Sequence, residues 1–236
     1  MLAQGGGNGC GGARCTVGGA TYLWSNLFLQ HRVGIRLGDG PSSGPTAATL
    51  KPPSLHAPIV SDTGELTYSF ENRTLVVSSS SAAIFMGSTA ASTEVSGWRG
   101  DWALGSGFDL AWGASRDDYG VFTLTVLEPA DASLLAAKRI LVTATTWAEN
   151  RGMAWANRSA GLLQRGGWGG APVVVGTPQL RLKAPAAWAV ATAVALAPDG
   201  SPLPGCAASM MPVASSGLVL NAGPRCATLW WQLAKH

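Results

Sequence analysis

The sequence predicts an all-β fold, an antiparallel β-sandwich of the jelly-roll type, and three observations support this prediction. Strand-like segments recur about every 8 to 12 residues, with turn residues between them. Glycine and proline account for 31 and 14 of the 236 residues, whereas only 12% of the residues are charged. Such a composition suits short strands joined by tight turns better than it suits exposed helices. Only residues 130–138 have a helical pattern, which is about two turns long.

The predicted strands follow one another along the chain from residue 65 onward. An alternation of apolar and polar residues, or a short apolar run, marks each of them. They are the segments 65–70, 74–78, 82–87, 108–113, 121–127, 139–147, 171–176, 179–183, 187–196, 217–221 and 227–233. Residues 21–37 are also strand-like, and the Pro/Gly/Ser/Ala-rich segment 38–54 is interpreted as a loop or boundary. The glycine-rich residues 1–20 are predicted to form a flexible segment before one sandwich domain, residues 21–236.

Charge and hydropathy patterns argue against several classes of partner and cofactor. The net charge of +3 comes from scattered residues, without the basic run that would follow a nucleic-acid backbone. No window reaches the roughly 20 apolar residues that span a bilayer, so no membrane contact is predicted. His31, His56 and His236 are isolated in the sequence and no CxxC pair occurs. We therefore predict neither a metal site nor a cofactor.

The four cysteines form two pairs that are close in sequence, Cys10 with Cys15 and Cys206 with Cys226. A Pro/Ser/Gly-rich segment and one short strand separate the members of the second pair. A hairpin there would bring the two sulfurs within reach of each other, so Cys206 and Cys226 are the predicted disulfide.

Tryptophans in two glycine-rich stretches are the candidates for ligand binding. Residues 98–118 mix three indoles with acidic and basic side chains, and a further indole lies in the segment GGWGGAP. Sugars present C–H faces that stack on indole, and hydroxyls that bond to carboxylate and guanidinium groups. The predicted ligand-binding residues are Trp98, Arg99, Asp101, Trp102, Trp112 and Trp168. The alternative is that the 98–118 loop packs its tryptophans against another surface.

The octet AENRGMAW, residues 148–155, places one carboxylate between two tryptophans. As a general acid in glycoside hydrolysis, Glu149 would need a second carboxylate about 5 to 10 Å away. The structural alternative is a polar corner in which Glu149 and Asn150 satisfy backbone donors before Gly152, while Met153 and Trp155 return to the core. Turn chemistry explains every residue of the octet and catalysis explains one, which favours the corner.

An ordered series of segments resembles a known family. The segments SDTGELTYSFENRTLVVSSSSAAIFMG, VFTLTVLEP, KRILVTATTWAENRGMAW, GGWGGAPVVVG, ALAPDG and ATLWWQL together cover roughly residues 57–236. In this order they resemble the β-sandwich domain that follows the catalytic barrel in bacterial glycoside hydrolases of the cellulase and agarase type. The resemblance implies an accessory module that packs on a (β/α)₈ barrel and leaves the catalytic carboxylates to the barrel. Residues 27–38, LFLQHRVGIRLG, are similar to the segment that joins the two domains.

A (β/α)₈ barrel needs about 200 residues of alternating strands and helices, which this chain lacks. We therefore predict a non-catalytic carbohydrate-binding or accessory domain derived from a glycoside hydrolase. Its expected partners are a polysaccharide or oligosaccharide and a catalytic barrel domain or subunit, in an extracellular or periplasmic location. One alternative is a stand-alone glycosidase that uses Glu149, Asp101 or Asp109. Another is a structural subunit that binds a protein.

Overall fold

The computed structural model describes most of the chain after residue 56. The described ranges are 57–90, 94–95, 97–113, 116, 118–158, 160–189, 191–209, 217–221 and 224–236, with the backbone of 10–11, 14–17 and 20–23. The chain divides into two compact units, Met1–Val77 and Ser78–His236.

Two groups of antiparallel strands form the Met1–Val77 unit. The first group contains β1 (Cys10–Gly11), β2 (Arg14–Val17) and β3 (Ala20–Leu23), and the second contains β4 (Ile59–Val60), β5 (Leu66–Ser69) and β6 (Thr74–Ser78). The segment predicted to be flexible, residues 1–20, thus includes two strands. Residues 24–56, with the rest of the strand-like segment and the proposed loop 38–54, lie outside the described residues. Residues 71–73, between the predicted strands 65–70 and 74–78, form a turn in which Arg73 adopts a left-handed φ of 53°.

The Ser78–His236 unit contains the remaining strands and two short 3₁₀ helices. The strands are β7 (Ala82–Ser88), β8 (Glu94–Val95), β9 (Trp98–Gly105), β10 (Phe108–Gly113), β11 (Tyr119–Glu128), β12 (Arg139–Thr145), β13 (Ala148–Arg151), β14 (Trp155–Asn157), β15 (Leu162–Leu163), β16 (Gly170–Val175), β17 (Leu180–Lys183), β18 (Ala191–Leu196), β19 (Pro202–Ser209), β20 (Leu218–Leu220) and β21 (Trp230–Lys235). The 3₁₀ helices are Ala186–Trp188 and Pro224–Cys226.

Six of these strands are neighbours in a large antiparallel sheet, in the order β19-β18-β21-β12-β11-β7. On β12, Ile140, Val142 and Ala144 are buried, as the alternation in the sequence predicts. On its other face, the hydroxyls of Thr143 and Thr123 lie 2.7 Å apart across the β11–β12 pair. One face of the sheet is therefore buried and apolar, while the other is partly exposed and carries Thr123 and Thr143 beside half-buried Ile84 and Trp230.

A second antiparallel sheet, in the order β20-β17-β10-β9-β8, forms the other layer of this unit. Leu110 and Leu182 are register partners on β10 and β17, and both are fully buried. The ring centroids of Phe85 on β7 and Trp102 on β9 lie 4.3 Å apart, so the apolar faces of the two sheets pack together. Each fully buried side chain of this size contributes about 1.5 to 3 kcal/mol. The predicted all-β sandwich is thus confirmed.

The helix predicted over residues 130–138 is wrong, because this segment forms successive turns. Leu134 and Ala137 are fully buried, and the amide of Leu134 donates to Ser80 O at 2.7 Å. A nine-residue segment gains little from helix propagation, so burial of these two side chains and a bond to another segment decide its conformation. The carbonyl of Leu134 accepts the indole N–H of Trp188, which the sequence assigned to a strand and which lies instead in a 3₁₀ helix.

Candidate functional site

The tryptophans of residues 98–113 belong mainly to the sandwich. Trp112 on β10 is fully buried, and its ring covers Gly120 so closely that a side chain there would overlap the indole. The indole Nε1 of Trp112 has no hydrogen-bond partner, which costs free energy and indicates that packing holds the ring. A fully buried indole presents no face to a sugar. This observation corrects the prediction that Trp112 binds a ligand.

The other two indoles of this stretch are half-buried and already in contact with protein groups. Trp102 packs on Phe85 and lies over Gly100, where a Cβ atom would overlap the indole. The guanidinium of Arg181, on β17, lies 5.2 Å from the ring centre of Trp98. Residues 98–105, which the sequence assigned to a loop, form strand β9. The structure therefore favours packing within this chain over a three-indole platform.

Charged residues of the same sheet pair with one another. Arg99 pairs with Glu94 at 3.5 Å and with Asp118, and its side chain is 26% exposed. Lys183 on β17 donates to both carboxylate oxygens of Asp101, at 2.8 and 3.0 Å. These contacts commit Arg99 and Asp101 to partners within the protein.

Asp101 and Asp109 lie on adjacent strands of this sheet. Asp109 is the register partner of Ala103, two positions from Asp101, and also of Lys183. A glycosidase pair needs one carboxylic acid that donates its proton to the leaving group. Because Lys183 donates to both oxygens of Asp101, this carboxylate acts as an acceptor in the structure. The arrangement supplies no proton donor from Asp101.

Residues 146–176, which we call the 146–176 excursion, leave the sandwich after β12 and return to it before β17. Two strand pairs build it, β13 with β16 and β14 with β15. At its base, the amide of Gly176 donates to Trp147 O at 2.8 Å and the Thr146 hydroxyl donates to Gly176 O at 3.1 Å. The two ends of the excursion are thereby closed on each other.

Glu149, on β13, is the centre of a polar cluster in the excursion. Its Oε2 accepts hydrogen bonds from Arg158 at 2.8 Å and from the indole of Trp155 at 3.1 Å, and its Oε1 accepts one from Arg116 at 3.1 Å. The guanidinium carbon of Arg116 also lies 3.5 Å from the centre of the Trp147 ring. The two arginines and two indoles are thus arranged around one carboxylate.

The pKa of Glu149 is lowered from 4.5 to about 2. Desolvation by burial is the largest single influence and raises the pKa, but hydrogen bonds from Arg158, Trp155 and Arg116, with the charge of Arg116, outweigh it. A general acid needs a raised pKa, so that it still holds its proton near neutral pH. Glu149 is ionised there and engaged with two cations. These properties favour the polar corner over catalysis.

The corner is built differently from the sequence prediction. Glu149 accepts bonds from side chains and not from backbone donors, and Met153 and Trp155 are half-buried and not part of the core. Asn150 donates from its side chain to Trp168 O at 3.0 Å. Sequence reasoning missed Arg116 and Arg158 as partners, since nothing in their spacing relates them to Glu149. Asn150, the neighbour of Glu149 on β13, therefore holds the backbone carbonyl of Trp168.

Trp168 is the most exposed of the predicted ligand-binding tryptophans, at 67% of its surface. The backbone around it is closely packed: a Cβ atom at Gly167 would overlap Ala154 O, and one at Gly169 would overlap Arg151 O. The amide of Ala154 donates to Gly167 O at 2.8 Å, and Gly167 donates to Gln164 O at 2.8 Å. A fixed backbone thus holds an indole that packs little against the protein.

Further apolar side chains of the excursion are exposed as well. They are Leu162 at 58%, Val173 at 63%, Val174 at 40% and Val175 at 42% exposure. The three valines among them lie in the predicted strand 171–176, where apolar residues indicate core positions, while Leu162 lies outside the predicted strands. Exposed apolar side chains in the same excursion as an exposed indole are typical of a binding surface.

The predicted disulfide is present. Cys206 on β19 and Cys226 in the 3₁₀ helix Pro224–Cys226 are bonded, with their Cα atoms 5.4 Å apart. Cys10 and Cys15 are register partners on β1 and β2. Among the described residues, no group of three His, Cys, Asp or Glu side chains could hold a metal ion. Nor does any described segment form a helix long and apolar enough to cross a membrane.

Comparisons with protein-family models, with curated proteins and with solved structures find no match to this chain.

Proposed function

We propose that this chain is a non-catalytic carbohydrate-binding β-sandwich, and that a sugar ring of a polysaccharide stacks on Trp168. The observation that carries the proposal is the combination of an indole exposed over 67% of its surface with a backbone that close packing fixes. An exposed indole loses hydration of its apolar face on contact with a sugar, while a fixed backbone loses little conformational entropy.

The resemblance to the accessory domain of cellulase- and agarase-type glycoside hydrolases supports the same proposal. It implies descent from an enzyme in which a separate barrel performed hydrolysis. Two of the three carboxylates proposed for a stand-alone glycosidase have other contacts, since Glu149 binds Arg116 and Arg158, and Asp101 binds Lys183. The disulfide Cys206–Cys226 is compatible with an extracellular or periplasmic site of action, which we include in the proposal.

A protein partner is the second candidate, and the exposed valines favour it. In the two-stranded sheet β13–β16, strand β16 carries Val173, Val174 and Val175 in succession. A strand from another protein can add to such an edge. If this is the function, Val174→Asp should abolish association with the partner, whereas the same variant should leave polysaccharide binding through Trp168 intact.

Affinity electrophoresis tests the carbohydrate proposal with soluble derivatives of cellulose, xylan and agarose and with polygalacturonate. Trp168→Ala should weaken binding by about 1 to 3 kcal/mol, the usual effect of removing a stacked aromatic anchor. Its free energy of unfolding should change by less than about 0.5 kcal/mol, because the side chain is exposed. Leu162→Ala, at another exposed apolar residue of the excursion, is the matched control and should bind like the wild type. If no polysaccharide retards the wild type, or if Trp168→Ala is retarded equally, the proposal is wrong.

A further inference from the structure

The 146–176 excursion has an excess of positive charge. It contains three arginines, Arg151, Arg158 and Arg165, and one acidic residue, Glu149. Arg158 binds Glu149, and so does Arg116 from outside the excursion. Glu149 therefore already has two cationic partners. No second acidic residue in the excursion balances the charges of its other two arginines.

Arg151 and Arg165 are both exposed. Neither forms an ion pair or a side-chain hydrogen bond with the part of the chain that the structure describes. Both belong to the segments that fix the backbone of Trp168. Arg151 is the register partner of Gly170, two residues after Trp168, and Arg165 lies in the turn that the Gly167-to-Gln164 hydrogen bond closes. Two exposed cations, neither with an ion-pair or hydrogen-bond partner among the described residues, thus lie on the backbone segments that border the segment of Trp168.

From this arrangement we infer that the ligand at Trp168 is an acidic polysaccharide, a class that deepens the carbohydrate proposal and rests on it. Its carboxylate or sulfate groups pair with Arg151 and Arg165 while a sugar ring stacks on the indole. Guanidinium presents two parallel N–H donors that match the two oxygens of a carboxylate or sulfate, and such charge-assisted bonds are about twice as strong as neutral ones. A neutral glycan would leave both guanidinium groups without a partner.

A nucleic acid is also anionic and also stacks on indole, but the charge pattern favours a glycan. Nucleic-acid grooves follow the phosphate backbone with many cations, and the net charge of this chain is only +3. Two arginines on segments that border one exposed indole are too few to follow a phosphate backbone, but they match a glycan that carries separate acidic groups beside a stacked sugar ring. Single-stranded DNA is therefore one arm of the test.

The test compares pairs of polysaccharides that differ only in charge. Polygalacturonate is compared with its methyl ester, which removes carboxylate charge, and dextran sulfate with dextran. Titration calorimetry at low ionic strength should show tighter binding of the charged polysaccharide than of its neutral counterpart in at least one pair. A difference in the polygalacturonate pair identifies carboxylate as the recognised group, and a difference in the dextran pair identifies sulfate.

Arg151→Gln and Arg165→Gln should each weaken binding of that charged polysaccharide about tenfold, the effect of one charge-assisted bond. The difference between charged and neutral members should shrink at 0.5 M salt, at which the screening length falls to roughly 4 Å.

Arg225→Gln is the matched control, since it removes one exposed arginine next to the disulfide and outside the excursion. It should bind like the wild type. Equal affinity for charged and neutral members, with loss of binding only in Trp168→Ala, would refute the acidic ligand and leave the carbohydrate proposal standing. Absence of binding to every polysaccharide would refute both. Tighter binding of single-stranded DNA than of any polysaccharide would also refute the inference and assign the arginines to a nucleic acid.

Discussion

Two regions of the Ser78–His236 unit surround tryptophans with glycines, and the glycines act differently in each. In residues 98–120, Gly100 and Gly120 lack the Cβ atom that would overlap the rings of Trp102 and Trp112. In the 146–176 excursion, Gly167 and Gly169 lack the Cβ atom that would overlap carbonyl oxygens of the backbone. Gly100 and Gly120 thus make room for an indole, whereas Gly167 and Gly169 make room for the chain itself.

The tryptophan ring is buried in the first region and exposed in the second. Trp112 is fully buried, while Trp168 is exposed over 67% of its surface. The first region is held by apolar contacts between two sheets, and the second by hydrogen bonds and ion pairs around Glu149 together with close backbone packing. Burial contributes to stability at Trp112, whereas little burial accompanies the fixed backbone at Trp168, and this contrast is the basis of the proposed binding site.

The largest expected effect concerns the buried indole. Trp112→Ala should lower the free energy of unfolding by about 3 to 5 kcal/mol, because it removes a fully buried ring and leaves a cavity beside Gly120. Urea unfolding followed by circular dichroism measures this, with Trp168→Ala as the exposed counterpart. If Trp112→Ala were as stable as the wild type, the distinction between the two regions would not hold.

The sequence predicted the strands of the sandwich better than it predicted the burial and the contacts of the candidate site residues. Alternation on β12 predicted the buried face of Ile140, Val142 and Ala144, because a strand with one apolar face has one way to bury it. The position of Trp112 was not predictable, since composition does not say whether a glycine accommodates a ring or a carbonyl. The cluster around Glu149 was not predictable either, because Arg116 is 33 residues away in sequence.

The close packing of the backbone near Trp168 gives a second, smaller effect. Gly167→Ala should destabilise the excursion by about 1 to 3 kcal/mol, the usual cost of overpacking, because its Cβ would overlap Ala154 O. The amide of Ala154, which donates to Gly167 O, should then exchange its hydrogen faster. Gly170→Ala is the matched control, since neither glycine has a positive φ and nothing lies within 4 Å of a Cβ at Gly170. Similar exchange in both variants would show that the packing around Gly167 does not hold the backbone of Trp168.

The ion pairs of Glu149 should make the excursion sensitive to acid. Because the folded-state pKa is lowered to about 2, the stabilisation is complete above the ordinary value of 4.5 and is lost as the pH falls through about 2. The melting temperature of the wild type should therefore exceed that of Glu149→Gln at neutral pH, and the two should converge between pH 4.5 and about 2. Arg158→Gln should reproduce part of this loss. A constant difference between wild type and Glu149→Gln over that range would contradict the assigned contacts.

The smallest expected effect lies on the sheet that contains the paired charges. Asp101 is 55% exposed in its side chain and binds Lys183 at 2.8 Å, so solvent screens much of the attraction. Asp101→Asn should change the free energy of unfolding by less than about 1 kcal/mol, the usual range for an exposed ion pair. It should also leave polysaccharide binding unchanged, because the proposed ligand contacts Trp168 in the excursion. Chemical denaturation and affinity electrophoresis of the same preparation measure both quantities.

A marked loss of binding in Asp101→Asn, with the fold intact, would move the sugar site from the excursion to the outer face of β9 and β10. The comparison between the two regions would then be reversed, since the paired charges of this sheet would carry recognition and the exposed indole of the excursion would not.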